Sequence, residues 1–340
     1  EVAGRTLIDR AIESIKEAGI QKFIIVTGYK GDNLKKYILE THGDDLEYVF
    51  IENKDYATTN NIYSFYLAKD ELVKDDTILL ESDLIFDSSL IKKMVDSEEE
   101  NLVALAKYES WMDGTVTTID EEGYISKFFS KEEIDIKKLD RDYKTVNVYK
   151  FSKQFSETKY IPFLEAYMKS YGLNVYYELV LKVLASFPDV KLKGYLMEDM
   201  PWYEIDDAQD LDIANILFSH GKDKYDRIIS KFGGYWRYGK ILDFCYLVNP
   251  YFPTKRMIDE MSSNYDVLLR NYPSGMSVNQ LLAAKMFDLN NDFIIVGNGA
   301  AELIKSLMNN IEGKVGMVFP TFEEYSNRKN TDDIVAFYPN

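Results

Sequence analysis

"TLIDRAIESIKEAGIQKFIIVTGY", residues 6–29, decides the fold. "TLIDRAIESIKEAGI" carries apolar residues at helical spacing, and "KFIIVTGY" is a β-rich run directly behind it. The alternation continues through "DNLKKYILET" (helical), "LEYVFIEN" (extended) and "NNIYSFYLAKDELV" (helical). "DTILLESDLIF" then reads as one buried strand ending in polar residues, followed by helical "SLIKKMVDS" and extended "LVALAKY". This rhythm predicts an α/β, Rossmann-like domain with a mostly parallel twisted sheet between helices. Sites in such sheets lie beyond the carboxyl ends of the strands, which selects Thr27 to Tyr29 and Glu81 to Asp87 as rim positions.

From about Tyr108 the pattern changes. "TVTTIDEEGYISKFFS" reads as a hairpin around a Glu-Gly turn, laid beside the sheet, and "YKTVNVYKFS" as another strand. "IPFLEAYMKSYG" and "VYYELVLKVLASF" are helical, and "VKLKGYLMEDMPWYEIDDAQDLDIANILF" closes a first domain, residues 1–218, as strand, strand, helix. Residues 219–240, with the paired Gly233 and Gly234 and with "YDRIISKF" read as a short helix, are expected to connect it to a second βα-type segment, residues 241–340. At 340 residues the chain is long enough for two domains.

A net charge of −17 argues against binding nucleic acid through phosphate neutralisation, which needs a basic face. It leaves room for a single nucleotide brought in by a carboxylate-held divalent metal. One cysteine excludes an internal disulfide, and two histidines disfavour a histidine-rich metal site. Apolar runs such as "FIIV" and "TILL" are far too short to cross a bilayer, so the expectation is a cytoplasmic protein with no membrane partner.

Two carboxylates follow apolar β runs directly: Asp83 in "ESDLIF" and Asp206 in "YEIDDAQ". An aspartate after a strand is more often a helix cap than a ligand, and Asp87, Asp207 and Asp210 are read as caps or first-turn residues. Glu204 is expected to face out of its strand. Two strand-end aspartates in one domain nevertheless suit Mg²⁺, which takes few protein carboxylates and completes its shell with water and phosphate oxygens.

Together, "TLIDRAIESIKEAGIQKFIIVTGY", the "SD" after "TILLE", and "WYEIDDAQDL" resemble the nucleotidyltransferase superfamily. "NKDYATTNNIYSFYLAKD", "KYESWMDGTVTTID" and "YKTVNVYKFS" bring the resemblance closer to bacterial choline-phosphate and 2-aminoethylphosphonate cytidylyltransferases. It covers residues 1 to about 218. It implies transfer of CMP from CTP to 2-aminoethylphosphonate or phosphocholine with release of pyrophosphate, Mg²⁺ being held by Asp83 and Asp206. The family's glycine-rich loop, with its arginine and lysine, would precede Glu1, so the sequence as given is expected to be impaired on its own. A sugar-1-phosphate nucleotidyltransferase and a non-catalytic module that kept the fold remain alternatives.

For the nucleotide, the resemblance implies contacts from Thr27, Gly28, Thr59, Asn60, Asn61 and Ser64; the same polar cluster also serves as a helix N-cap. For a zwitterionic acceptor, Tyr108, Trp111 and Asp113 offer aromatic faces beside a carboxylate, which attract an ammonium group, or else simple packing. Lys131 and Lys144 are candidates for its phosphate or phosphonate, and Tyr176 to Glu178 either line the same pocket or start a helix.

In the second segment, "LDFCYLVNPYFP", "YPSG", "FIIVGNGAAELIKSLM" and "VFPTFEEY" resemble the beginning of a fold-type I, class I/II aminotransferase that uses pyridoxal phosphate. "GNGAAELI" reads as a strand end, a glycine turn and a helix start whose free amides suit a phosphate. The resemblance implies that Gly299, Ala300 and Ala301 hold the cofactor phosphate, that Phe322 or Tyr325 stacks on its ring, and that the complete domain forms a homodimer. No residue of the sequence matches the Schiff-base lysine or the pyridinium-pairing aspartate.

Overall fold

The computed structural model describes the chain except residues 130–132, 232–233, 235–237, 239–240, 243, 245–247 and 340, and describes 136–138 by backbone alone. Lys131 therefore lies outside the described residues. The chain divides into two compact units, Glu1–Asp243 and Phe244–Asn340.

In the first unit, α1 (Leu7–Glu17) is capped by the Thr6 side chain and buries Ile12 and Ile15. The chain then runs through β1 (Lys22–Thr27), α2 (Gly31–His42), β2 (Glu47–Glu52), α3 (Asn61–Leu67), α4 (Lys69–Leu72), β3 (Thr77–Leu80), β4 (Leu84–Phe86), α5 (Ser89–Val95) and β5 (Leu102–Lys107). The hairpin of β6 (Val116–Ile119) and β7 (Ile125–Phe129) precedes the long β8 (Asp142–Phe151). After α6 (Lys153–Phe155) and α7 (Ile161–Tyr171) come α8 (Glu178–Leu184), β9 (Lys193–Leu196), β10 (Trp202–Glu204), α9 (Ala208–Leu217) and α10 (Gly221–Ile229).

The main sheet has the order β7-β6-β8-β5-β9, with β3 paired to β8. Strand β8 is antiparallel to β3, β5 and β6, while β9 is parallel to β5, so β3, β5, β6 and β9 all run one way. The hairpin expected beside the sheet is thus part of it. Strands β1 and β2 form a separate parallel pair. One large core gathers Phe65, Val103, Leu105, Tyr149, Phe151, Tyr160 and Tyr177, with Ile24 and Val26 of β1 packed against it. A second, on Leu90, Ile91, Ala104, Val146 and Val148, is the counterpart on the other face of β5 and β8.

One expectation needs correction here. "DTILLESDLIF" is not one strand: the backbone leaves the sheet after Leu80, turns through Glu81 to Asp83, and restarts as β4, which pairs antiparallel with β10. The break is dictated by that distant partner, since the apolar residues on either side read as continuous. Within residues 219–240, α10 covers most of the stretch read as a short helix, and Tyr238 is buried in a cluster with Val2, Ile85, Tyr203 and Ile213.

The second unit holds α11 (Lys255–Arg270), α12 (Met276–Phe287), α13 (Ala300–Asn310), β11 (Val315–Val318), α14 (Glu323–Ser326) and β12 (Ile334–Phe337), with β11 and β12 parallel. Its small core is Ile304, Met308 and Met317. "FIIV" before the glycine turn was expected as a strand, but Ile294 to Val296 pair with no strand among the described residues. No helix of the described residues is long and apolar enough to cross a membrane.

Candidate functional site

The β3–β4 turn and the end of β10 carry carboxylates toward one another. Glu81, Asp83 and Glu204 each offer an oxygen within 4.8 Å of the others. One oxygen of Asp83, Oδ1, is fully buried and has no hydrogen-bond partner among the described residues. A buried carboxylate oxygen without a donor is costly unless a cation sits beside it. Hard oxygen donors in this number suit a divalent ion such as Mg²⁺.

Burial and neighbouring charge act together on these groups. Glu81 is pushed up to about 8, by burial first and then by the charge of Glu178, against a hydrogen bond from Tyr177. Burial also raises Asp83, with Asp206 adding to the effect and Lys144 opposing it. Glu204 is raised by burial and eased by Lys144. Asp206 is exposed, in the turn between β10 and α9, and its charge reaches both Asp83 and Glu204.

Glu204 does not face out of its strand, contrary to expectation. Lys144 Nζ donates to Glu204 Oε2 at 3.1 Å, and Asn147 Nδ2 donates to Oε1 at 2.8 Å. Tyr203 is the residue of β10 that enters the hydrophobic cluster beneath, so Glu204 points to the opposite side, where β8 supplies its partners. Lys144 itself is buried, and Gly114, at a φ of 91°, leaves it room: a Cβ there would lie 2.9 Å from Nζ.

A fourth carboxylate belongs to the same buried network. Glu178, at the start of α8, is buried, and Asn61 Nδ2 lies 3.3 Å from Glu81 Oε1 and 3.4 Å from Glu178 Oε2. Tyr177 OH donates to Glu81 at 2.6 Å, while its backbone N–H donates to Asn61 Oδ1 at 3.0 Å. Asn61 thus ties α3, α8 and the β3–β4 turn together.

The other nucleotide candidates surround this network. Asn60 caps α3, its Oδ1 accepting from the Asn61 N–H. Thr59 and Ser64 both accept from Nδ2 of the buried Asn53, at 3.1 Å each. Thr27 Oγ1 donates weakly to Ile51 O, and Gly28 packs under Tyr56 so closely that a Cβ would stand 2.7 Å from it. Of the acceptor candidates, Tyr108 is buried with Met112, Val116 and Phe129, whereas Trp111 is 46% exposed and stacks on Tyr203 at 5.6 Å. Asp113 is exposed nearby in sequence. Asp207 and Asp210 form a reciprocal capping box on α9.

Sequence reasoning passed over Asn53 and Asn147, took Glu81 only as one of several rim positions, and read Glu204 as facing outward. Glu81 carried a faint signal, lying two residues before Asp83; Asn147 carried none, because its importance comes from partners on other strands.

In the second unit, Gly299 takes a φ of 87° and precedes α13, which Ala300 and Ala301 begin with no side chain capping them. Phe322 is exposed, and Tyr325 packs against Ile304, Met308 and Met317.

Residues 2–155 match a family model described as a domain of unknown function, DUF6564. The CMP-5'-(3-aminopropyl)phosphonate synthase of Streptomyces rubellomurinus is 28% identical over 330 residues, which is 96% of this chain and 51% of that protein. The CTP:phosphoglutamine cytidylyltransferase of Campylobacter jejuni is 33% identical over 116 residues, 33% of this chain and 44% of the relative. The chain spans about half the length of these curated relatives. Among solved structures, the CTP:phosphocholine cytidylyltransferase of Streptococcus pneumoniae superposes with a TM-score of 0.53 at 22% identity, covering 64% of this chain and 88% of that one. The Campylobacter relative and this structural neighbour are cytidylyltransferases by name, the Streptomyces relative is a CMP-phosphonate synthase by name, and the fold shared with the neighbour is mixed α/β.

Proposed function

We propose that the chain belongs to an enzyme that transfers CMP from CTP to a small zwitterionic phosphonate or phosphate ester, such as 2-aminoethylphosphonate or phosphocholine. The observation that carries this reading is the convergence of Glu81, Asp83 and Glu204, with a buried and unpartnered Asp83 oxygen, on one turn of an α/β sheet. The names of the relatives agree with it.

The reaction is a phosphoryl substitution. An anionic oxygen of the acceptor attacks the α-phosphorus of CTP, a new P–O–P link forms, and the bond to the departing pyrophosphate breaks. The acceptor oxygen is already ionised, so no protein base or nucleophile is required. Bound Mg²⁺ would neutralise charge at the α-phosphate and orient the two reactants. Asp83 and Asp206 are the proposed ligands, with Glu204 beside them. Lys144 opposes the upward push of burial on Glu204 beside the pair, and Asn61 and Tyr177 fix the position of Glu81. Trp111 offers a ring face to the acceptor's ammonium group, with Asp113 as a second attraction. Thr27, Gly28, Thr59, Asn60 and Ser64 are proposed to border the nucleotide.

For the second unit we carry the reading of an aminotransferase beginning that serves aminophosphonate chemistry in the intact protein. Its support is the glycine-led start of α13, whose amides suit a phosphate. Pyridoxal phosphate needs more than this: no residue of the unit is assigned the Schiff-base role, and no step is derived through that cofactor. Dimerisation through the complete domain is part of the same proposal.

The test is pyrophosphate release from CTP and Mg²⁺ with 2-aminoethylphosphonate, phosphocholine or glucose 1-phosphate as acceptor, using the intact protein and its Asp206→Ala variant. The proposal expects release with the amine-bearing acceptors and its loss in the variant. Release with the sugar phosphate alone would favour the sugar nucleotidyltransferase, and no release with any acceptor the non-catalytic module.

A further inference from the structure

Asn147 adopts a left-handed conformation, φ 58°, in the middle of β8. Non-glycine residues take that conformation at a cost, and asparagine pays less than most because its short amide bonds locally. The local register explains why the chain bends there. Val103 of β5 faces Tyr149, but Leu105, two residues on, faces Thr145, so β8 bulges around Asn147. The bulge lies where β8 passes from pairing with β6, through Asp142 to Lys144, to pairing with β3, through Val148 to Phe151. Bulges and strained residues of this kind re-aim side chains next to functional sites.

What the bulge re-aims is the Asn147 amide. Val146 and Val148 both enter the second core, leaving Asn147 on the opposite side. Its Oδ1 accepts from Thr145 Oγ1 at 3.1 Å and from Tyr149 OH at 3.5 Å, which fixes the amide's orientation. Its Nδ2 is thereby turned outward and donates to Glu204 Oε1 at 2.8 Å. The other Glu204 oxygen is held by Lys144. Glu204 therefore has both oxygens tethered to β8, and in that pose it stands with Glu81 and Asp83.

We propose that Asn147 is a positioning residue: the strained bulge exists to present its amide, which fixes the Glu204 carboxylate in the orientation that completes the divalent-cation site. This rests on the proposed metal-dependent reaction for its consequence, but the positioning itself does not. Glycine adopts the left-handed conformation freely. Where asparagine serves only that backbone, replacement by glycine leaves Glu204 in place; where its amide positions Glu204, glycine lets the carboxylate move.

The experiment compares the protein with Asn147→Gly and Asn147→Asp, reading three things: thermal midpoint, Mn²⁺ affinity by calorimetry, and the crystal structure around Glu204. The proposal expects Asn147→Gly to stay folded with a lowered thermal midpoint, because Thr145, Tyr149 and Glu204 lose a buried partner, to show Glu204 rotated away from Asp83, and to bind Mn²⁺ about 10- to 100-fold more weakly, as for other partners that orient a ligand. Asn147→Asp, which sets a carboxylate against Glu204, is expected to displace Glu204 as well. An unmoved Glu204 in Asn147→Gly overturns the proposal whatever the affinity, as does unchanged Mn²⁺ affinity. A parent protein that binds no Mn²⁺ would sink the metal-dependent reading, while the crystal structures would still decide the positioning role.

Discussion

Lys144 Nζ stands 3.1 Å from Glu204 Oε2 while only 1% of the lysine side chain is exposed. The lysine is thus buried in direct contact with one carboxylate and with the Thr145 carbonyl at 2.8 Å, and its charge also reaches Asp83 and Glu178. Removing one member of such a pair leaves the other buried without compensation, which costs about 3 to 5 kcal/mol. Glu204→Gln is therefore expected to destabilise the first unit by about that amount, and Lys144→Met/Glu204→Gln by clearly less. Urea unfolding of the two variants and the parent measures this; equal losses would show that the pair is not coupled.

Glu81 makes the metal-free protein pH-sensitive. Its folded value of about 8 lies above the ordinary value of 4.5, so the folded state holds its proton where the unfolded chain has released it. The associated stability is complete below about 4.5 and is lost as pH rises through about 8. In chelator-treated protein the thermal midpoint is expected to fall across that window, by the equivalent of a few kcal/mol at most, since each unit is about 1.4 kcal/mol. Glu81→Gln, which cannot ionise, should flatten the fall, and a parallel fall in the variant would assign it to other groups. Added Mg²⁺ is expected to oppose the fall in the parent.

The capping box at Asp207 and Asp210 has a local consequence. Asp207 Oδ1 accepts from the Gln209 and Asp210 amides, at 2.7 and 3.0 Å, and Asp210 Oδ2 accepts from the Asp207 amide in return. Asp207→Ala should cost about 1 kcal/mol. Its effect on Mn²⁺ affinity should be slight, whereas Asp206→Ala, one residue away, should weaken affinity with little change in stability. Reversal of these two outcomes would exchange the roles assigned to the neighbouring aspartates.

These carboxylates also show what the sequence could reveal. The caps on α9 were legible because a cap is a local pattern: an aspartate, then another three residues on, before an apolar helix. The alternation of helices and strands was legible for the same reason, since period 3.6 and period 2 are local. Glu204 was misread because its direction depends on Lys144 and Asn147, far away in sequence, and on a β10 of three residues, too short to show alternation. The turn at Glu81 to Asp83 was hidden by apolar residues on both sides, and only the pairing of β4 with β10 reveals it. Asp83 could be singled out as a candidate from its place after an apolar run, but the Glu81, Asn61 and Tyr177 contacts near it arise from tertiary structure.

Trp111 supplies the last prediction. Its ring lies 13° from parallel to Tyr203, its indole N–H donates to Glu109 at 2.8 Å, and 46% of it remains exposed. One face is therefore held by a buried tyrosine while much of the ring stays open to solvent. A ring held in this way is suited to meet a cationic group, an attraction of about 0.5 to 2 kcal/mol. Under the proposed reaction, Trp111→Ala should raise KM for an amine-bearing acceptor by up to about thirtyfold, the upper end of that range, and leave KM for CTP unchanged. Trp111→Phe, which keeps an aromatic face, should recover most of the loss. An equal change in both KM values would show that the ring supports the fold of the hairpin region and does not meet the acceptor.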